Sequence, residues 1–225
     1  MRSVLKQVLH RGIQKYARVC DFSLKSAQNL VITSNTTSST HVTEGFAIIE
    51  DFINEQEHES LCMEVEKHLK KLRYEYDHWD NAIHGYREME KQSWTIENQS
   101  ILDRLRKLAF RAESEHLSHV HVLDLSEEGH IKPHVDSVRF CGSTIAGISL
   151  LSPCVFKLIN TKDPSSFATC LVRPRSLYIM RDVIRYDYTH EVLANKDSYF
   201  EDVKVHKGRR ISVICRSEPL SEHTK

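Results

Sequence analysis

The chain has 225 residues, of which 40% are hydrophobic and 28% are charged, a composition typical of a soluble globular protein. This length predicts one domain with a full hydrophobic core. No run of about 18 apolar residues occurs, so we expect no membrane-spanning segment. The six cysteines form no Cys-x-x-Cys pair, and their scatter favours a reducing compartment over a disulfide framework.

The N-terminal segment, residues 1–20, differs in charge from the rest of the chain. It contains no acidic residue, and its apolar residues recur at helical spacing. Its basic residues are Arg2, Lys6, Arg11, Lys15 and Arg18. A basic, amphipathic and acid-poor N-terminus is typical of a mitochondrial transit peptide, with an ordinary amphipathic surface helix as the alternative. We therefore predict a targeting segment and a location in the mitochondrial matrix.

Removal of that segment would leave an acidic protein. The whole chain has 31 basic and 31 acidic residues, and residues 21–225 have 26 basic and 31 acidic ones. This balance is a weak electrostatic basis for binding a polyanion such as nucleic acid, although a local basic groove would still allow it.

A polar run rich in Ser, Thr and Asn separates the targeting segment from the domain. It occupies residues 32–41 and predicts a flexible linker, which we extend over residues 21–43. The domain is expected to span residues 44–217. Residues 218–225 are predicted to be a disordered tail.

The first predicted elements of the domain are a short strand at 46–49 and a helix from about Glu55 to Leu72. Asn54 is expected to cap this helix, with Glu57 at the capping-box position.

Residues 73–97 are rich in Tyr, Trp and His. Such side chains can stack on a nucleobase, but proteins that read bases also need cations for the phosphates. Here the aromatic residues stand among carboxylates, so phosphate binding is disfavoured. The alternative is packing against the sheet, which we predict for Trp94.

The rest of the chain predicts a second helix and many short strands. The helix is expected from Asn98 to Ala112. The strands are expected at 118–125, 143–151, 154–160, 167–172, 176–180 and 211–215. Many short strands without a βαβ rhythm favour an α+β, mainly β fold, a cupin-like jelly roll or double-stranded β-helix with supporting N-terminal helices. We expect a monomer.

A candidate metal site begins at His134 and Asp136. In an extended strand, residues i and i+2 point to the same face, so these side chains can aim at one point. His190 supplies a third donor 54 residues after Asp136. Two histidines and one carboxylate are the ligand set of non-haem Fe(II) oxygenases, and Zn²⁺ is the chemical competitor. With 14 histidines in the chain, one His-x-Asp pair also arises by chance.

The segment from Lys207 to Arg216 reads as a strand in which Arg210, Ser212 and Arg216 share one face. An arginine fork with a nearby hydroxyl suits a carboxylate, and a buried arginine needs an anionic partner. Together with a metal site, this face predicts a pocket for 2-oxoglutarate. A solvated basic strand end is the alternative.

The order and spacing of His134-x-Asp136, His190 and Arg210-x-Ser212-x-x-x-Arg216 resemble the AlkB family of Fe(II)/2-oxoglutarate-dependent dioxygenases. The family usually ends in Arg-x-Asn-x-Thr-x-Arg, whereas this chain has Ser and Ile at the two middle positions. The resemblance covers roughly residues 44–217 and is strongest to the mitochondrial branch of the family.

The resemblance implies the cofactors and the roles of the site residues. Fe(II) would be bound by His134, Asp136 and His190, with 2-oxoglutarate and O2 at the remaining positions of the metal. Arg210 would pair the distal carboxylate of 2-oxoglutarate. The residues implied to bind this co-substrate are Tyr178, Arg210, Ser212 and Arg216.

Three functions follow as hypotheses. The first is a mitochondrial dioxygenase acting on a protein, for which the resemblance implies roles in programmed necrosis and fatty-acid metabolism. The second is an RNA or DNA N-demethylase, and the third is a non-catalytic, metal-binding regulatory module. The acidic charge favours the first over the second. The three candidate metal ligands and Arg210 favour both enzymes over the third.

Overall fold

A computed structural model describes residues 30–76, 82–112 and 115–219. The predicted targeting segment lies outside these residues, as does the end of the predicted tail from residue 220. Within the described part of the chain, no helix combines the length and apolar character needed to cross a membrane.

The core of the protein is one large curled antiparallel sheet. Its strands are β1 (Val31–Thr33), β2 (Phe46–Ile49), β3 (Ile83–Lys91), β4 (Val120–His134), β5 (Thr144–Leu150), β6 (Cys154–Asn160), β7 (Phe167–Val172), β8 (Leu177–Arg181), β9 (Tyr188–Val192) and β12 (Arg210–Arg216). Their order is β1-β7-β6-β9-β4-β12-β5-β8-β2, with β3 also paired to β4. The short strands β10 (Tyr199–Phe200) and β11 (Val203–Lys204) pair with each other. The mainly β, jelly-roll prediction is confirmed.

Four described helices accompany the sheet: α1 (Thr36–Gly45), α2 (Glu55–Leu69), α3 (Ile96–Ala109) and α4 (Asp182–Asp187). The predicted cap of α2 is present. The Asn54 side chain accepts a hydrogen bond from the Glu57 backbone N–H at 2.9 Å, and the Glu57 carboxylate accepts one from the Asn54 N–H at 3.0 Å. The ends of both predicted helices shift by a few residues, as helix boundaries commonly do.

The sheet separates two apolar clusters because side chains alternate between its two faces. In β12, Ile211, Val213 and Cys215 join the cluster covered by α2 and α3. Arg210, Ser212 and Arg216 lie on the other face and line a cavity. Each fully buried aliphatic side chain stabilises the fold by about 1.5–3 kcal/mol. The helix-covered cluster therefore stabilises the sheet whose other face lines the cavity.

Residues 30–43, which the polar composition assigned to a flexible linker, are folded. β1 pairs with β7, and α1 begins at a cap in which the Asn35 side chain accepts from the Ser38 N–H at 2.9 Å. Leu30 and Val42 are buried in the cluster beside the cavity. The linker prediction is therefore wrong here, because a helix cap and two apolar anchors outweigh the low helix propensity of Ser and Thr.

Most of the described aromatic residues between α2 and α3 pack within the fold, and Tyr76, which is 53% exposed, is the exception. Trp94 packs against the helix-covered cluster, as predicted, and donates its indole N–H to the Lys91 carbonyl at 3.3 Å. Tyr86 is buried, and the Tyr74 hydroxyl donates to Asp124 at 3.2 Å. Among the described residues of the segment 73–97, no aromatic side chain lines the cavity.

Asp124 of β4 connects β3, the residue that precedes β12, and a helix. Its carboxylate is fully buried and accepts hydrogen bonds from Arg87 Nε at 2.7 Å and from Arg209 Nε and Nη2 at 2.9 and 2.7 Å. Arg209 also contacts Glu66 of α2. A buried carboxylate is tolerated only when charge and hydrogen bonds compensate it, so these contacts form one unit.

Asp124→Asn should lower the free energy of unfolding by about 3 kcal/mol or more, because two partly buried guanidinium groups lose their anion. The control is Glu50→Gln, which removes an exposed contact to Arg173 and should cost less than about 1 kcal/mol. Urea denaturation followed by circular dichroism measures both. Equal costs for the two variants would contradict the role given to Asp124.

Candidate metal and co-substrate site

Antiparallel pairing of β4 with β9 brings the two candidate histidines together. His134 is the last residue of β4 and lies directly opposite His190. Directly opposite residues have Cβ atoms about 4.5–5.5 Å apart, so the two imidazole rings share one space. Their ring centroids lie 4.2 Å apart. Asp136 follows two residues after His134, and its carboxylate lies beside the two imidazole rings.

The donor atoms of the three residues converge. Asp136 Oδ1 lies 3.2 Å from His134 Nε2 and 3.6 Å from His190 Nε2. One ligand atom of each residue lies within 4.8 Å of the other two, so the group could hold a metal ion. Two imidazoles and one carboxylate on one side leave the other side of a metal available to small ligands.

Burial and hydrogen bonds prepare these donors for a cation. His134 Nδ1 lies 3.0 Å from the Lys132 carbonyl, and a proton donated there leaves the Nε2 lone pair for a metal. Burial, with the nearby His134, lowers the pKa of His190 to about 3, so its imidazole is neutral at physiological pH. Burial alone would raise the pKa of Asp136, but contact with His134 and the charge of Arg216 hold that pKa well below its usual range.

The three donors lie in a cavity of about 1090 Å³. Its buried lining is mostly apolar and includes Leu123, Ile131, Ile145, Phe156, Met180, Val192 and Ile214. Its mouth lies between β3 and the loop that follows Asp136, where Phe140 is 67% exposed. A cavity of this size with apolar walls and few polar groups is suited to a small organic ligand.

Arg210 is a buried cation with unused hydrogen-bonding capacity. It is 1% exposed, its Nε donates to Ser149 Oγ at 3.2 Å, and its guanidinium carbon lies 5.3 Å from the centre of the Phe156 ring. Among the described residues, Arg210 Nη2 and Ser212 Oγ have no hydrogen-bond partner. Buried polar groups in proteins are nearly always paired, so these two atoms fit a ligand that brings a carboxylate.

Tyr178 reaches the same cavity from β8. Its ring centroid lies 5.0 Å from that of Phe156, and burial raises the pKa of the Tyr178 phenol, which therefore stays protonated and can donate a hydrogen bond. Gly147 lies directly opposite Tyr178 in the sheet. A Cβ atom at position 147 would lie 2.7 Å from Tyr178 Cε1 and closer still to the Tyr178 hydroxyl. Only a glycine at this position leaves room for the tyrosine ring.

Arg216 lies at the metal-binding end of the cavity. Its Nε donates to Asp136 Oδ2 at 3.3 Å, and its Nη1 donates to His121 Nδ1 at 3.0 Å. The sequence placed Arg216 on the same face as Arg210, which is correct, but it did not indicate the contact with Asp136.

The structure thus brings all seven predicted site residues to one cavity: His134, Asp136, Tyr178, His190, Arg210, Ser212 and Arg216. It adds residues that the sequence did not single out. Ser149 and Phe156 hold the Arg210 guanidinium, and Gly147 makes room for Tyr178. Of these residues, the sequence could have indicated Gly147, because a glycine in the middle of a predicted strand often marks the close approach of another group.

Gly147→Ala should lower the free energy of unfolding by about 1–3 kcal/mol, because the added methyl group collides with the Tyr178 ring. In a Tyr178→Leu background the same substitution should cost clearly less, since the ring is gone. A double-mutant cycle by urea denaturation measures this coupling, and Gly147→Ala combined with Glu50→Gln is the additive control. An additive Gly147→Ala/Tyr178→Leu pair would show that Gly147 does not serve the tyrosine.

Comparison with known proteins agrees with this geometry. A family model of the 2OG-Fe(II) oxygenase superfamily matches residues 45–216. The mitochondrial alpha-ketoglutarate-dependent dioxygenase alkB homolog 7 of Mus musculus is 55% identical over 168 residues, which cover 75% of this chain and 76% of that protein. Its counterpart from Bos taurus is 52% identical over the same shares of the two chains.

Among solved structures, a prolyl hydroxylase from Trichoplax adhaerens, in complex with a hypoxia inducible factor peptide fragment, is similar with a TM-score of 0.56 at 12% identity. The similarity covers 85% of this chain and 90% of that one, and it shows the fold alone. Both curated relatives are named as mitochondrial, which supports a mitochondrial location for this protein.

Members of the matched superfamily use Fe(II), 2-oxoglutarate (alpha-ketoglutarate) and O2. The converging donors and the buried arginine of this cavity suit those groups. The chain belongs to the 2OG-Fe(II) oxygenase superfamily and, within it, to the AlkB family of 2-oxoglutarate-dependent dioxygenases.

Proposed function

We propose that this dioxygenase acts in the mitochondrial matrix on a protein substrate, with His134, Asp136 and His190 as the ligands of Fe(II). The observation that supports the site assignment best is the convergence of these three donors in the cavity that also holds Arg210. One part of the cavity suits a cation, and another suits a carboxylate.

Different residues of the cavity bind the metal and the co-substrate. His134, Asp136 and His190 would hold the metal and leave coordination positions for 2-oxoglutarate and O2. Fe(II), when bound, would supply the activation of O2, one atom of which enters succinate as 2-oxoglutarate loses CO2 while the other enters the substrate.

Three further residues orient 2-oxoglutarate. The Arg210 guanidinium, with its unpaired Nη2, binds the distal carboxylate, and Ser212 Oγ lies on the same strand face to assist it. The Tyr178 phenol donates a second hydrogen bond, and the apolar walls exclude water. Arg216 acts at the other end of the pocket, through Asp136.

The cavity mouth supports a protein substrate over a nucleic acid. Glu88 and Glu90 of β3 line it together with Arg139, so its exposed carboxylates outnumber the exposed cation, which disfavours a phosphate backbone. The described aromatic residues of the segment 73–97 do not line the mouth, so they offer no stacking surface there. Roles in programmed necrosis and fatty-acid metabolism would follow from the identity of the oxidised protein.

His134→Ala, Asp136→Ala and His190→Ala should each reduce succinate formation from 2-oxoglutarate to the background, because each removes one of three metal ligands. The full chain is assayed with Fe(II), ascorbate and O2. His130→Ala is the matched control. This β4 histidine does not line the cavity, and its ring centroid lies 5.2 Å from that of His84. Wild-type succinate formation by any of the three variants would refute its assignment as a ligand.

Arg210→Met should raise the KM for 2-oxoglutarate by about 10–100-fold, the loss expected for one charge-assisted hydrogen-bonded pair. Arg210→Lys should fall between wild type and Arg210→Met, because it keeps the charge but loses the fork. The measurement is succinate formation over a range of 2-oxoglutarate concentrations. An unchanged KM in Arg210→Met would exclude Arg210 as the partner of the distal carboxylate.

The substrate class is tested separately. Wild-type enzyme and His190→Ala are each incubated with mitochondrial proteins or with methylated single-stranded RNA. A protein that gains one oxygen atom, or loses a methyl group, only with the wild-type enzyme supports the proposal. Demethylation of the RNA with no change in any protein would assign the enzyme to the nucleic-acid demethylases.

A further inference from the structure

Two polar side chains continue outward from Arg216 to the mouth of the cavity. Arg216 contacts Asp136 Oδ2 at 3.3 Å and His121 Nδ1 at 3.0 Å. His121 Nε2 in turn lies 2.8 Å from Glu88 Oε2. The contacts therefore run from Asp136 through Arg216 and His121 to Glu88, and the last three of these residues belong to β12, β4 and β3.

The chemistry of the guanidinium determines where the protons lie. Arginine has only donors, so His121 Nδ1 must accept its hydrogen bond and carries no proton. The proton of the neutral imidazole is then on Nε2, from which it donates to the Glu88 carboxylate. Each nitrogen of His121 therefore has one hydrogen-bonding role: Nδ1 accepts and Nε2 donates. A 180° flip of the imidazole ring would break both hydrogen bonds.

We propose that His121 and Glu88 are positioning residues for the metal site. They hold Arg216 in the orientation that fixes Asp136 Oδ2, so that Oδ1 alone faces the two imidazoles. This inference rests on the proposed role of Asp136 as a ligand of Fe(II).

A carboxylate held through one oxygen cannot rotate freely about its Cβ–Cγ bond. Groups that orient metal ligands in this way typically change metal affinity by about 10–100-fold when they are removed. Cys141 Sγ also contacts Asp136 Oδ2, at 3.9 Å, but a thiol is a weak donor and Arg216 is the charged partner. Arg216 has a long and flexible side chain, so how well it orients Asp136 depends on how firmly Arg216 itself is held. His121 is the contact that holds the far end of that side chain.

A second His–Glu pair in the same cavity serves as an internal control. His119 Nε2 lies 3.4 Å from Glu90 Oε1, and both residues line the cavity two positions along the chain from His121 and Glu88. Among the described contacts, none joins this second pair to Arg216 or to Asp136. A general effect of charge at the mouth would act through both pairs, whereas positioning acts through His121 and Glu88 alone.

The test measures Mn(II) binding to the metal-free full-length protein by electron paramagnetic resonance, which needs no turnover. His121→Phe keeps the ring but removes both nitrogens, and it should weaken Mn(II) binding by about tenfold. His121→Asn places an acceptor where Nδ1 stood and should restore most of the affinity. Glu88→Leu should weaken binding in the same direction as His121→Phe, and His119→Phe and Glu90→Gln should leave it unchanged.

Each outcome distinguishes this inference from the function on which it rests. Wild-type affinity in His121→Phe, or equal losses in His121→Phe and His119→Phe, would overturn the positioning role while leaving the metal site intact. Wild-type protein that binds Mn(II) no better than His134→Ala would overturn the metal site itself, and the positioning role with it. A loss in His121→Phe that His121→Asn reverses is the result expected from the proposal, and thermal denaturation verifies that each variant is folded.

Discussion

The register between β4 and β9 is the constraint on which the candidate site depends. It places His134 directly opposite His190, although the two residues are distant in the chain. Side chains alternate along a strand, so a shift of one residue would turn His190 away from the cavity and separate the donors. The apolar cluster beside the cavity opposes such a shift, because the shift would also turn Tyr188 and Val192 of β9 out of that cluster.

Charge is arranged unevenly along the cavity. Near the mouth, the ionised Asp136 and two imidazoles, of which His190 is held neutral by burial, offer a site for a cation. Elsewhere in the cavity, the buried Arg210 offers a site for an anion between Ser149 and Phe156. Apolar walls between charged groups lower the local dielectric constant, which strengthens both interactions. A ligand that joins a metal ion to a distant carboxylate, as 2-oxoglutarate does, satisfies both sites at once.

Local sequence patterns predicted most of the fold. Alternation in β12 correctly assigned Ile211, Val213 and Cys215 to one face and the polar site residues to the other. The Asn54 cap of α2 was also readable, because capping depends on residues a few positions apart. The same reasoning failed for residues 30–43, where Ser and Thr suggested a linker, since β1 pairs with β7 and both Leu30 and Val42 are buried.

The sequence by itself determined the candidate ligands, the arginine-bearing strand face and the class of fold, because residue type, spacing and strand periodicity are local properties. Only the tertiary structure decided that Arg216 donates a hydrogen bond to Asp136 and that Arg210 retains an unpaired N–H group. It also decided that Gly147 makes room for Tyr178 and that His121 connects Arg216 to Glu88. These relations join residues from separate strands, and their geometry depends on sheet register and packing, which no short stretch of the chain encodes.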